Sequence, residues 1–215
     1  MIGIIRVVTT EDEQILHQHG LMMEARYGIK TMSACIPDQP AGIYDEHSYN
    51  QAILKVVLLG QQLVESGCQV LTVSCMDDPG VSELRDQVKV PVIGAGSATA
   101  YLAMAYGKPV GLLDIADEPP KVMKTILGDM LAYHEAPAGI STTQQIMHPT
   151  GRKLALESVR RMARSGVETI AFACTGYSTI GLAEAIRQEV GIHVIDPVEA
   201  EGLYAWHALH QKRIL

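Results

Sequence analysis

Short apolar runs bounded by Gly, Pro or Asp recur along the chain at Ile2 to Val7, Val70 to Ser74, Val90 to Ile93, Val110 to Leu113, Thr169 to Ala173 and His193 to Ile195. Their length and β-branched content predict buried strands. Between them the apolar positions recur every three to four residues. Gln51 to Ser66, Leu154 to Ser165 and Ile180 to Glu189 read as amphipathic helices that end at Gly67, Gly166 and Gly191. Strands alternating with helices predict an α/β fold, because parallel neighbours need crossovers and are covered on both faces.

The pattern repeats itself. Ile2-Gly3-Ile4-Ile5-Arg6-Val7 matches Val110-Gly111-Leu112-Leu113-Asp114-Ile115. The run from Gly67 to Cys75 matches the run from Gly166 to Cys174, with Gly and Cys eight residues apart in both, and Val90 to Gly94 matches Ile192 to Asp196. Three blocks in the same order predict two pseudo-symmetric lobes, each an open parallel sheet, with a cleft between them. Ligands of such sheets bind outside the carboxyl ends of the strands, where Cys75 and Cys174 fall.

Composition narrows the class. Hydrophobic residues make up 47% and charged residues 19% of 215 residues, ordinary for a globular protein. The net charge of -7 and the absence of any Lys or Arg run argue against a nucleic-acid binder. No apolar stretch is long enough for a membrane span and the N-terminus has no signal-peptide pattern, so a cytoplasmic protein is expected. The four cysteines, at 35, 68, 75 and 174, lack the density of a disulfide scaffold and the spacing of a zinc site, and read as free thiols.

Two thiols in equivalent places can act as opposed acid and base. Each follows an apolar strand and precedes a turn into a helix, where backbone N–H groups and the helix dipole are expected to lower a thiol pKa. A thiolate on one face of a carbon and a thiol on the other invert the centre. Around them Met76, Asp77, Asp78, Thr175, Gly176 and Ser178 are candidates for holding substrate or the developing oxyanion, with Thr9, Thr10 and Asp114 on the same rim. Tyr44, Tyr177 and the segment from Asp45 to Tyr49 are candidates for the pocket lining. Cys35 and Cys68 read as small core residues.

The segments Ser74-Cys75-Met76-Asp77-Asp78-Pro79-Gly80 and Ala173-Cys174-Thr175-Gly176-Tyr177, with Pro91 to Gly94 and Val194 to Pro197 after them, resemble the aspartate/glutamate/hydantoin racemase superfamily, and within it the hydantoin racemase branch. The resemblance implies a duplicated two-lobed fold, with residues 1–95 plus 199–215 in one lobe and 96–198 in the other. It implies catalytic Cys75 and Cys174, backbone donors to the substrate from the turn of Thr175, Gly176 and Tyr177, no metal or other cofactor, a small-molecule substrate and a homo-oligomer; Thr9, Thr10, Met76, Asp77 and Asp114 are expected as substrate contacts from their place on the rim. The chain departs from the branch in reading Arg6-Val7-Val8-Thr9-Thr10 where an Asn-Pro-Asn segment is usual, and in carrying Asp114 where a Thr is usual. The acidic Asp77 and Asp78 favour a neutral ring such as a 5-substituted hydantoin over aspartate or glutamate, unless they cap a helix.

Other readings compete. A same-fold cysteine decarboxylase or isomerase would use one thiol only. The run Gly94-Ala95-Gly96-Ser97-Ala98-Thr99, with Asp114 twenty residues after Gly94, imitates a dinucleotide fingerprint and would make the protein a nicotinamide-dependent oxidoreductase, although Thr99 replaces the third glycine. The pairs His17/His19 and His207/His210 have no convergent partner and read as solvated histidines, not metal ligands.

Overall fold

Every residue of the first strand, β1 (Ile2–Arg6), is buried in the computed structural model, which describes residues 1–107 and 109–211. The strand is buried because it has neighbours on both sides. The parallel order is β2 (Thr31–Cys35), β1, β3 (Val70–Ser74), β4 (Val92–Gly94), linked by α1 (Glu13–Tyr27), α2 (Glu46–Glu65) and α3 (Val81–Gln87). Helix α4 (Ala95–Ala105) leaves β4 without an intervening loop. The pattern then recurs. β5 (Val110–Leu113), α5 (Lys121–Leu127), a 3-10 turn at Gly128–Met130, β6 (Leu131–Glu135), α6 (Thr143–Met147), α7 (Pro149–Arg164), β7 (Thr169–Phe172), α8 (Gly176–Thr179), α9 (Leu182–Glu189), β8 (His193–Ile195) and α10 (Pro197–His210) follow. Their sheet order, β6-β5-β7-β8, is that of the first sheet.

The chain divides into two units, residues 1–95 with those from Glu201 onward, and Gly96–Ala200. Residues 212–215 of the expected 199–215 return lie outside the described residues.

The duplication extends to individual contacts. A Cβ on Gly3 would meet Leu71 Cδ2 at 2.8 Å and Cys68 Sγ at 3.0 Å; a Cβ on Gly111 would meet Val167 Cγ1 at 3.0 Å and Ile170 Cδ1 at 3.2 Å. These are matched triplets, since Cys68 pairs with Val167 and Leu71 with Ile170 in the repeat. Each second-position glycine lets the next strand's approach pack against bare backbone. Cys68, 2% exposed, is a core residue in Val167's place.

The four central strands, β1, β3, β5 and β7, and the edge strands β4 and β8 are where the apolar runs put them; the other two edge strands, β2 and β6, are not visible as such runs. Thr31–Cys35 and Leu131–Glu135 are only half-buried, so they mix polar and apolar residues over too few positions to stand out. Helix starts also lie upstream of the apolar periodicity. Asp45 caps α2 in a reciprocal pair with Ser48, and Pro149 opens α7. Gly181, in the left-handed region, precedes α9, which therefore begins at Leu182 and not at the expected Ile180, and the short α8 lies before the expected helix.

A polar cluster is buried inside the first unit. Ser74 Oγ donates to Glu201 Oε1 at 2.7 Å and lies 2.8 Å from His19 Nδ1, and Arg6 donates to the carbonyls of Ile15 (2.6 Å) and Leu16 (3.3 Å). His19 and Glu201 are fully buried and Arg6 and Ser74 nearly so. His19, expected as a solvated residue, is instead on the inner face of α1, and burial with Arg6 nearby holds its pKa well below the ordinary imidazole range. Ser74 sits between the imidazole and the carboxylate, so the trio is not the nucleophile–base–orienter order of a catalytic triad.

Candidate active site

Cys75 immediately follows β3, at the carboxyl edge of the first sheet, and is half-buried. As expected, it precedes a turn, from Met76 to Gly80, that leads into α3. In that turn Met76 is buried and Asp77 half-exposed. Tyr49, in the first turns of α2, faces the same turn. Burial, and then the nearby charges of Glu83, Asp77, Asp78 and Cys75, raise its phenol pKa. Tyr44, by contrast, is 72% exposed.

Asp78 adopts a left-handed conformation (φ 50°) and lays its carboxyl group over Gly94; a Cβ there would fall 2.2 Å from Asp78 Cγ. The carboxylate therefore stands just before the first turn of α4, where a helix favours negative charge. This supports the capping alternative for Asp78 and corrects the dinucleotide reading. The space that Gly94 would offer a pyrophosphate holds the protein's own carboxylate, and no loop separates β4 from α4.

Thr9 and Thr10 lie beyond β1. The Thr9 hydroxyl is committed to the loop after β2, donating to Ile36 O and accepting from Gln39 N, both at 2.7 Å. Thr10 Oγ1 accepts from Asp12 N at 3.1 Å, and its backbone N–H reaches the Cys35 thiol. Cys35, expected in the core, is thus half-buried on the rim, because it ends β2 opposite Arg6.

In the second unit Cys174 follows β7 and is 9% exposed. Gly176 N–H donates to its Sγ at 3.4 Å and the Thr143 hydroxyl also donates. Both favour the thiolate, yet burial, aided by the Asp114 carboxylate, pushes the thiol pKa up to about 11. The expected lowering therefore fails at Cys174, because two donors do not offset burial beside a like charge.

Asp114 follows β5 and is 2% exposed. Its Oδ1 accepts from Ile115 N (2.7 Å) and Ala116 N (3.4 Å), and its Oδ2 accepts from His134 Nε2 at 3.0 Å. Tyr177 is wholly buried, its ring tilted 50° against that of Phe172 with centroids 5.4 Å apart, and its hydroxyl donates to Asp114 O at 2.7 Å. Thr175 is half-exposed and Gly176 buried. His134 and Thr143 were not singled out from sequence. Their partners lie 20 and 31 residues away on other elements, and no motif joins them.

Asp196 stands where the repeat has Gly94. Its Oδ1 accepts from Ser178 Oγ (2.8 Å), Val198 N (2.9 Å) and Glu199 N (3.1 Å), capping α10. Burial raises its pKa to about 6 from 3.8. A raised carboxyl pKa adds stability below pH 3.8 that is lost as the pH rises through 6. Asp196→Asn keeps the Oδ1 acceptor and removes the titration. The stability of the variant relative to wild type should therefore rise by about 1.4 kcal/mol per pH unit between pH 4 and 6 and be flat above, measured by urea unfolding at a series of pH values. A flat difference throughout would contradict the assignment.

Among the described residues no three His, Cys, Asp or Glu side chains converge as metal ligands, and no helix is long and apolar enough to cross a membrane.

Comparison with known proteins agrees with this picture. The model of the Asp/Glu/hydantoin racemase family matches residues 10–201. A hydantoin racemase from Pseudomonas sp. (strain NS671) is 24% identical over 196 residues, which are 85% of this chain and 75% of that protein. Among solved structures, an allantoin racemase from Klebsiella pneumoniae has a TM-score of 0.84 at 18% identity, covering 97% of this chain and 86% of that one. An allantoin racemase from Pseudomonas fluorescens has a TM-score of 0.77 at 18% identity, covering 100% of this chain and 99% of that one. At such identities the structural likenesses speak for the fold.

Proposed function

We propose, since this chain belongs to the Asp/Glu/hydantoin racemase family and is an isomerase of the racemase type, that it inverts C5 of 5-substituted hydantoins with Cys75 and Cys174 as base and acid. The observation that carries this reading is the equivalence of the two thiols. Each follows the third strand of its repeat, next to the first, in sheets of identical order.

In one direction a thiolate takes the C5 proton, the electron pair is held as an enolate by the adjacent carbonyl, and the opposite thiol gives its proton to the other face. The two sulfurs exchange protonation states, and the reverse direction exchanges them back. No metal or organic cofactor enters the step. Backbone N–H groups in the turn that holds Thr175 and Gly176, and those around Met76 and Asp77, are suited to hold the enolate oxygen.

The carboxylates near both thiols, Asp77 with Cys75 and Asp114 with Cys174, favour a neutral ring over a dicarboxylic amino acid, because like charges brought together in a desolvated site cost several kcal/mol. The hydantoin and allantoin racemases among the relatives act on rings of this kind by their names. The reading is tested with single enantiomers of 5-substituted hydantoins, allantoin, aspartate and glutamate, followed by polarimetry without added cofactor. Loss of rotation with the cyclic substrates is expected. Activity confined to aspartate or glutamate would overturn the substrate, and activity that appears only after a nicotinamide or metal is added would overturn the mechanism.

A further inference from the structure

We propose that His134 is a positioning residue for Cys174: its N–H anchors the Asp114 carboxylate beside the sulfur, and that fixed negative charge adds to burial in keeping Cys174 a thiol, the proton donor of the resting enzyme. The proposal rests on the racemase reading for its catalytic meaning, though not for its test.

The geometry begins with the strands. β6 lies alongside β5 with His134 in register with Leu112, two residues before Asp114. His134 thereby reaches past the end of β5, and its Nε2 meets Asp114 Oδ2 at 3.0 Å while the backbone N–H groups of Ile115 and Ala116 hold Oδ1. Tyr177 fixes the same residue from below by donating to its carbonyl at 2.7 Å. Asp114 is therefore held at both carboxyl oxygens and at its backbone. A carboxylate so restrained cannot swing away when the neighbouring sulfur becomes negative, so thiolate formation is opposed by a fixed charge at low dielectric.

The groups facing Cys174 are Asp114 after β5, Tyr177 in α8 and the Thr143 hydroxyl in α6. His134 stands behind Asp114 with its side chain 16% exposed, and the adjacent Glu135 is paired with Arg161 of α7. His134 is the one of these that joins the Asp114 carboxylate to the partly exposed edge strand.

Cys75 is half-buried with Tyr49 nearby, whereas Cys174 is buried beside Asp114 and Tyr177, so the two thiols, equivalent in the repeat, differ in their surroundings at rest. Because a racemisation has an equilibrium constant of one, kcat/KM must be the same for both enantiomers. The asymmetry must therefore be read on the sulfur itself.

The test is the pH dependence of iodoacetamide alkylation at Cys174, resolved by peptide mass spectrometry in the full-length protein. In the wild type Cys174 should react slowly at pH 8. Asp114→Asn should move its alkylation midpoint down by about one pH unit, a rise of about tenfold in rate at pH 8. His134→Leu should move it the same way, and so should His134→Asn, which is too short to reach Oδ2. His134→Gln, whose amide N–H reproduces Nε2, should restore the wild-type midpoint. In the Asp114→Asn background His134→Leu should have no further effect, since the two act in series. A wild-type midpoint in both folded His134→Leu and His134→Asn proteins, or an undiminished shift in the Asp114→Asn background, would overturn the proposal. Absence of racemisation in the wild type would sink the functional reading while leaving these midpoints interpretable.

Discussion

Replacing either Cys75 or Cys174 with Ser is expected to reduce racemisation of a 5-substituted hydantoin by about 10²–10⁴-fold, the range supplied by a positioned acid or base. A serine hydroxyl nearly preserves shape but holds its proton far more tightly than a thiol, so it neither forms the base nor releases the proton on the timescale of turnover. Both substitutions should be severe, because each direction of the reaction uses both sulfurs. Cys68→Ser is the control. Its thiol packs against Gly3 on the side of the sheet where Val167 packs against Gly111, so it should lose stability and keep turnover. Equal losses in Cys68→Ser and Cys75→Ser would undo the assignment. Initial rates by polarimetry, with circular dichroism to establish folding, decide the matter.

Glu201→Leu is expected to be the most destabilising single change, at about 3–5 kcal/mol, because it strips a buried carboxylate from a cluster that contains a buried Arg. Arg6 is 6% exposed and Glu201 fully buried, and Glu201, after Cys35, favours the charged guanidinium against the burial that opposes it. Ser74 would also lose the acceptor of its hydroxyl proton. For a chain of this size the loss corresponds to a fall in Tm of roughly 10 °C. Glu199→Leu, two positions earlier on the same helix, should cost only about 1 kcal/mol or less, since its partner Arg187 is one-third exposed and the pair is screened. Thermal unfolding of the two variants side by side checks this. Similar shifts would mean that the buried cluster contributes no more than a surface pair. His19 adds a pH signature to the same cluster. Its folded pKa is depressed, so it contributes stability above the unfolded value near 6.5 that is lost as the pH falls below it.

The parts of the fold that could be read from the sequence are those fixed by burial alone. β1, β3, β5 and β7 are buried along their whole length, and a strand covered on both faces must be a continuous apolar run. The duplication was legible for the same reason, and Cys75 and Cys174 with it, because equivalent thiols at the ends of equivalent strands survive as a pattern even when the loops differ. What could not be read depends on contacts between distant residues. Glu201 reaches Ser74 across 127 residues and His19 reaches it across 55; neither carries a local motif. The same holds for His134 and Thr143 around Cys174. The Cys174 thiol pKa is raised and not lowered because position after a strand reports only nearby N–H donors, whereas the depth of burial and the Asp114 charge are tertiary facts.

The most direct test of two-thiol catalysis follows C5 hydrogen exchange in deuterium oxide, with each enantiomer presented separately to Cys75→Ser and Cys174→Ser. A remaining thiol reaches only one face of the carbon, so it can remove and return hydrogen there without inverting the centre. With two-thiol catalysis Cys75→Ser should incorporate deuterium into one enantiomer with retention, Cys174→Ser should do so with the other, and neither should racemise at an appreciable rate. Exchange of the same enantiomer by both variants, or racemisation by either at near wild-type rate, would contradict it.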